Sequence, residues 1–275
     1  MALKDILVVV GPQPKAAFLD TAAGFALRHD AHVTGLFVMA PPRPIAGELS
    51  EHIIEAQIRS ARKVANEAQQ MFRDRMDLAG VGPHAQWRLS ENHPVLEACA
   101  AARCADVVVV AQTDETGWEA PQTASVDGIL FGGGRPVLVV PRAGQYPAIG
   151  DNVLIAWNAS REATRAVHDA LPLLDRAKTV TVLSINPSRS MDDPGDLPVA
   201  DIANHLARHG LTVEGAKLTS KELNPGDLLL NEAADRSADL LVMGAYGHSR
   251  LRELVLGGMT RHVMSHMTLP VLFSH

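Results

Sequence analysis

Near the end of the chain an apolar run, Leu240-Leu241-Val242-Met243, gives way to two glycines three apart, Gly244 and Gly247. After nine intervening residues comes a second pair, Gly257-Gly258, followed by an amphipathic segment that opens with Met259-Thr260. This spacing predicts a strand, a glycine turn, a short excursion, a second glycine turn and a helix. Glycine lets backbone N–H groups face a ligand with no Cβ in the way. A helix N-terminus adds partial positive charge, which suits phosphate. The same glycines also suit a strand-to-helix connection that needs them only for its turns, and spacing alone leaves both readings open.

Other reactive residues form weaker patterns. His262 and His266 lie four apart on a predicted helix and could share one face as metal ligands. No third ligand is evident and HExxH is absent, so histidines facing solvent or a partner are expected. His248 and Ser249 lack the third, orienting group that a nucleophilic pair needs. Arg250, Arg252 and Arg261 read as solvated charges, with a triphosphate as the other partner one of them could reach. Cys99 and Cys104 are the two cysteines, and their spacing is neither a metal nor a redox pattern. Small buried residues are the expectation for both. Walker A and GxGxxG patterns are absent, which removes P-loop and Rossmann dehydrogenase readings.

Composition narrows the partners. The net charge of −6 leaves no basic footprint for nucleic acid, and aromatic residues at 4% are too few for a base-stacking surface. No apolar run approaches membrane-spanning length. Met1-Ala2-Leu3-Lys4-Asp5 leads into a strand with no signal-peptide pattern, so a cytoplasmic protein without membrane partners is expected.

The elements that must position the glycines occur twice. In the first half, strands are predicted at Lys4–Val10, Ala31–Val38, His84–Arg88, Asp106–Ala111 and Pro136–Pro141. Helices are predicted at Ala16–His29, Leu49–Asp77, His93–Arg103 and Ser125–Phe131. In the second half, strands are predicted at Asn152–Trp157, Thr179–Ile185, Thr212–Leu218, Asp239–Met243 and Pro270–Phe273. Its helices fall at Arg161–Leu174, Leu197–His209, Asp227–Arg236 and Thr260–His266. Arg103-Cys104-Ala105-Asp106 matches Arg236-Ser237-Ala238-Asp239, and Pro136-Val137-Leu138 matches Pro270-Val271-Leu272. The expectation is an α/β fold of two tandem, doubly wound, mostly parallel five-stranded sheets, with domains at 1–142 and 151–275. Ligands of such sheets sit beyond the carboxyl ends of the strands, where strand order reverses.

With this repeat and glycine motif the chain resembles a tandem universal stress protein of the UspA superfamily, whose fold is related to adenine nucleotide alpha hydrolases. Nucleotide-binding members show Gly, two residues, Gly, nine residues, Gly, then Ser or Thr. Here Gly244, Gly247 and Gly257 match, and Gly258 stands in the hydroxyl position. The resemblance implies ATP or a related adenine nucleotide, with Mg²⁺, bound in the second half. It implies Ala156, Trp157 and Asn158 on the adenosine side, with Asn158 where ATP-binding relatives usually carry Asp. It places Ile185 against adenine and Met243 and Gly244 beside the base and ribose. Gly247, Gly257, Gly258, Met259 and Thr260 would cradle the phosphates, Thr260 offering a replacement hydroxyl.

The first half lacks the first two motif glycines and has Asp114 and Glu115 in that region, so a degenerate, structural repeat is expected there. The resemblance further implies antiparallel pairing of Pro136–Val140 with Pro270–Phe273 inside one chain, with homodimers as a further possibility. The implied role is a nucleotide-binding regulatory module with no catalytic residue assigned and slow ATP hydrolysis at most. The alternative is a nucleotide-free structural or interaction protein with a decayed site.

Overall fold

The computed structural model describes residues 2–42, 51–113, 124–186, 199–220, 222–245 and 258–275. The chain divides into two compact units, Leu3–Arg135 and a second built from Pro136–His275. The first contains β1 (Asp5–Val9), α1 (Ala16–His29), β2 (His32–Val38), α2 (Glu51–Leu78), β3 (Ala85–Ser90), α3 (Pro94–Ala102), β4 (Val107–Ala111) and α4 (Val126–Gly133). The second contains β5 (Val137–Val140), β6 (Asn152–Ala156), α5 (Arg161–Leu174), β7 (Thr179–Ile185), α6 (Val199–Arg208), β8 (Val213–Leu218), α7 (Pro225–Asp235), β9 (Leu240–Gly244), α8 (Gly258–His266) and β10 (Val271–Ser274).

In the first unit the strands run in the order β3-β2-β1-β4, with parallel pairing throughout. In the second the order is β5-β10-β9-β6-β7-β8. All its pairs are parallel except β5 with β10, where Val139 faces Val271 and Val137 faces Phe273. The last strand of the first sequence half thus belongs to the sheet of the second unit. Central strands such as DILVV of β1 and NVLIA of β6 are buried through their middle residues, as helix-covered parallel strands must be. Edge strands β3 and β8 instead alternate between partly buried and exposed positions.

Local chemistry sets the helix starts. Ser160 caps α5 by accepting from the Ala163 N–H, and Ser125 caps α4 by accepting from the Gly128 N–H. Asn224 caps α7 with Pro225 in its first turn, where the missing N–H costs nothing. Cys99 is buried on α3, and its thiol lies 3.3 Å from the Gly128 carbonyl of α4. Burial pushes the Cys99 thiol pKa up, which favours its protonated form. Cys104 departs from expectation: it lies past the end of α3 in a turn, and is exposed.

The internal repeat has a structural reason. The Asp106 carboxylate accepts from the Lys4 and Asp5 N–H groups at the start of β1. The Asp239 carboxylate accepts from those of Gly150, Asp151 and Asn152 at the start of β6. In each half this aspartate pins the start of its own strand to the start of the neighbouring central strand.

Three histidines of the second unit cluster: His168 on α5, His205 on α6 and His209 just beyond α6. His205 lies with ring centroids 5.4 Å from His168 and 4.9 Å from His209. Its Nε2 is enclosed without a hydrogen-bond partner. Burial, then His209, His168 and Arg208, hold its pKa below the ordinary imidazole value. The unfolded chain therefore takes up a proton at higher pH than the folded one. Stability contributed here is complete above the ordinary imidazole value and is lost as pH falls from there through the lowered folded value. Urea midpoints should drop between pH 7.5 and pH 5, and His205→Leu should drop less. An equal drop in parent and variant would remove His205 from this account.

Candidate functional site

In the second unit β7 and β8 extend the sheet on one side of β6, while β9 and β10 lie on the other. Strand order therefore reverses between β6 and β9, and the crevice beyond their carboxyl ends is the expected ligand position. Ala156 at the end of β6 stands opposite Met243 of β9 and Leu183 of β7. The Trp157 N–H extends the ladder by donating to the Leu183 carbonyl at 2.8 Å. Ile185 ends β7 two residues further on, so Ala156, Trp157, Ile185, Met243 and Gly244 all gather at this edge.

The loop after β6 is tightly built. Asn158 Oδ1 accepts from the Ser160 N–H at 3.1 Å, and Ala159 between them is left-handed with φ 59°. For a non-glycine residue that conformation costs on the order of 1 kcal/mol. Asn158 is exposed, and with Oδ1 engaged it presents its amide N–H₂ as a donor. After β7, Asn186 is also left-handed at φ 47°, and its Oδ1 accepts from the Ser220 N–H.

Trp157 is 5% exposed. Its Nε1–H is buried without a hydrogen-bond partner. Leaving such a donor unpaired costs about 1–3 kcal/mol. The Asn158-Ala159-Ser160 turn and the orphaned indole N–H escape sequence reasoning; Asn and Ser two apart before a helix are the one signal for the turn.

The motif glycines differ in their surroundings. A Cβ on Gly244 would lie 2.4 Å from the Glu162 carbonyl carbon and 2.5 Å from the Ala163 nitrogen. Gly244 therefore lets β9 approach the first turn of α5. A Cβ on Gly258 would meet nothing within 4 Å. Gly258 opens α8 and is exposed, Met259 is partly buried and Thr260 is 4% exposed. The β9–α8–β10 crossover runs α8 against the strands, so its N-terminus lies at the edge where β6, β7 and β9 end. Gly247 and Gly257 lie outside the described residues, as do Asp114, Glu115, His248, Ser249, Arg250 and Arg252.

His262 is not a free surface histidine. Its Nε2 lies 2.7 Å from Asp227 Oδ1 on α7, and its ring stacks on His266 at 4.3 Å. Among the described residues no group of three His, Cys, Asp or Glu side chains gathers in metal-binding geometry. None of their helices is long and apolar enough to cross a membrane.

Residues 150–275 match the family model described as "Universal stress protein family". The second half is a universal stress protein domain. A curated universal stress protein of Synechocystis sp. is 27% identical over 173 residues, covering 61% of this chain. That match spans 57% of the relative's own length. A universal stress protein from Archaeoglobus fulgidus superposes over 98% of this chain and 95% of its own, with a TM-score of 0.75 at 18% identity. A functionally unknown protein from Pseudomonas aeruginosa PAO1 superposes over 99% of this chain and 92% of its own, with a TM-score of 0.57 at 17% identity. At such identities the superpositions speak for the fold. They extend the universal stress protein fold across both halves, in agreement with the α/β, doubly wound architecture expected from the repeat.

Proposed function

We propose that the universal stress protein domain binds ATP or a related adenine nucleotide beyond the ends of β6, β7 and β9, and acts as a nucleotide-dependent regulatory module. The observation that carries this reading is the pair of features at the switch point: an exposed Asn158 amide donor and unobstructed space at Gly258. The Asn158 donor suits the oxygen and nitrogen acceptors of a nucleoside. The open first turn of α8 suits phosphate, which favours helix N-termini. With no acidic cluster among the described residues, Mg²⁺ would arrive with the nucleotide and be held through its phosphates and water.

Calorimetry of the full chain should give an ATP Kd between about 1 μM and 1 mM. Gly258→Ser, which meets no steric obstacle, should tighten binding about three- to tenfold by adding one hydrogen bond of about 0.5–1.5 kcal/mol. Absence of heat at millimolar ATP would remove the proposal.

One observation favours a nucleotide-free structural protein: Gly244 is required by the approach of α5 whether or not a ligand binds. On that reading Gly258→Ser leaves the chain as silent toward ATP as before.

A further inference from the structure

We propose that the first unit holds a separate binding site for an uncharged, predominantly apolar small molecule, independent of any nucleotide in the second half. A cavity of about 450 Å³ opens between the carboxyl ends of β1 and β2 and the early turns of α2. Small-molecule pockets typically occupy roughly 300–1,000 Å³. Phe37, Val38 and Met39 form one wall and Ile58, Ala61 and Val64 the other. Among the described lining residues Gln57 and Ser60 bring the polar side chains, and no charged one contributes. A charged ligand would lose hydration here with no counter-charge from the described lining, while an apolar one gains from every part it buries. Gln57 and Ser60 can orient a single hydroxyl, carbonyl or amide. A smaller chamber of about 80 Å³ shares Pro12, Phe37 and Val38 with the first. It extends to Val10, Val110 and Ala111, where strand order reverses between β1 and β4.

The length of α2 explains the cavity. Its 28 residues span about 42 Å at 1.5 Å each, whereas the seven residues of β2 span about 23 Å. The lower part of its apolar stripe, Ala65, Ala68, Phe72 and Met76, is buried. The same stripe continues through Ile58, Ala61 and Val64, which are only partly buried. An apolar stripe that outruns its sheet needs something to cover it. The second half differs at the matching point: Val10 donates its N–H to Leu36 as Trp157 does to Leu183, so the smaller Val10 lines a chamber where the second half carries a buried indole.

The full chain is to be titrated with N-phenyl-1-naphthylamine, an uncharged apolar fluorophore. The expected result is a saturable rise in fluorescence with one site per chain, unchanged by millimolar ATP. Ala61→Trp, which fills the cavity, and Ile58→Glu, which charges its wall, should each weaken binding by about tenfold or more. Ile58 is partly exposed, so the Ile58→Glu chain keeps its circular dichroism and decides the matter even if Ala61→Trp unfolds. Non-saturating fluorescence, parental affinity in the folded Ile58→Glu chain, or displacement of the probe by ATP would overturn the proposal.

Discussion

Gly244→Ala is expected to lower the unfolding free energy by about 3 kcal/mol, at the upper end of the usual cost of overpacking. The added methyl would sit 2.4 Å from one backbone atom of α5 and 2.5 Å from another. No side-chain rotation relieves such a clash. α5 cannot easily retreat either, because Ser160 caps it through Ala163 and Asn158 ties the preceding turn to Ser160. The measurement is a urea titration, in which the midpoint falls while the slope stays constant. A midpoint equal to the parent's would mean that β9 and α5 do not approach as closely as the structure has them. Because Gly244→Ala perturbs the scaffold, Gly258 is the position at which the motif's ligand role is tested cleanly.

Asp239→Ala is expected to cost about as much, on the order of 3 kcal/mol, by a different route. Its carboxylate accepts from the Gly150, Asp151 and Asn152 N–H groups at 2.7, 3.0 and 3.2 Å. Removing it orphans three donors in a partly buried corner, each worth on the order of 1 kcal/mol at that level of exposure. Burial raises the Asp239 pKa, while these same N–H groups pull it back down. Asp106 is the internal control. It serves two N–H groups in an exposed setting, so Asp106→Ala should lose distinctly less. Equal midpoint losses in the two variants would contradict the assignment of the difference to donor count and burial.

Much of this architecture is legible in the chain. Runs such as DILVV, VVVVA and NVLIA read as strands buried on both faces, because they are short, rich in β-branched residues and almost continuously apolar. The second copy of the Asp-led strand signalled a repeat, and the repeat placed the glycine motif after a central strand. The candidate site was legible to the same depth: Ala156, Trp157, Ile185, Met243 and Gly244 do collect at one sheet edge, since period and strand order decide which ends meet. What side chains do there was not legible. The resemblance places Trp157 on the adenosine side and its side chain is buried, while His262, expected to face solvent or a partner, is held by Asp227. Such outcomes depend on neighbours distant in sequence.

The sequence by itself determined the α/β alternation, the internal repeat and the glycine spacing, because these follow from local periodicity and backbone freedom. The resemblance already implied that β5 pairs with β10; only the tertiary structure decided that β5 packs with the second unit rather than with the rest of residues 1–142, since compactness depends on long-range contacts. Only it showed that a Cβ on Gly244 would come within 2.4 Å of the α5 backbone while Gly258 faces open space, because local sequence does not record what stands opposite a missing Cβ. And only it showed that α2 outruns its sheet and leaves an apolar cavity in the half that carries no glycine motif.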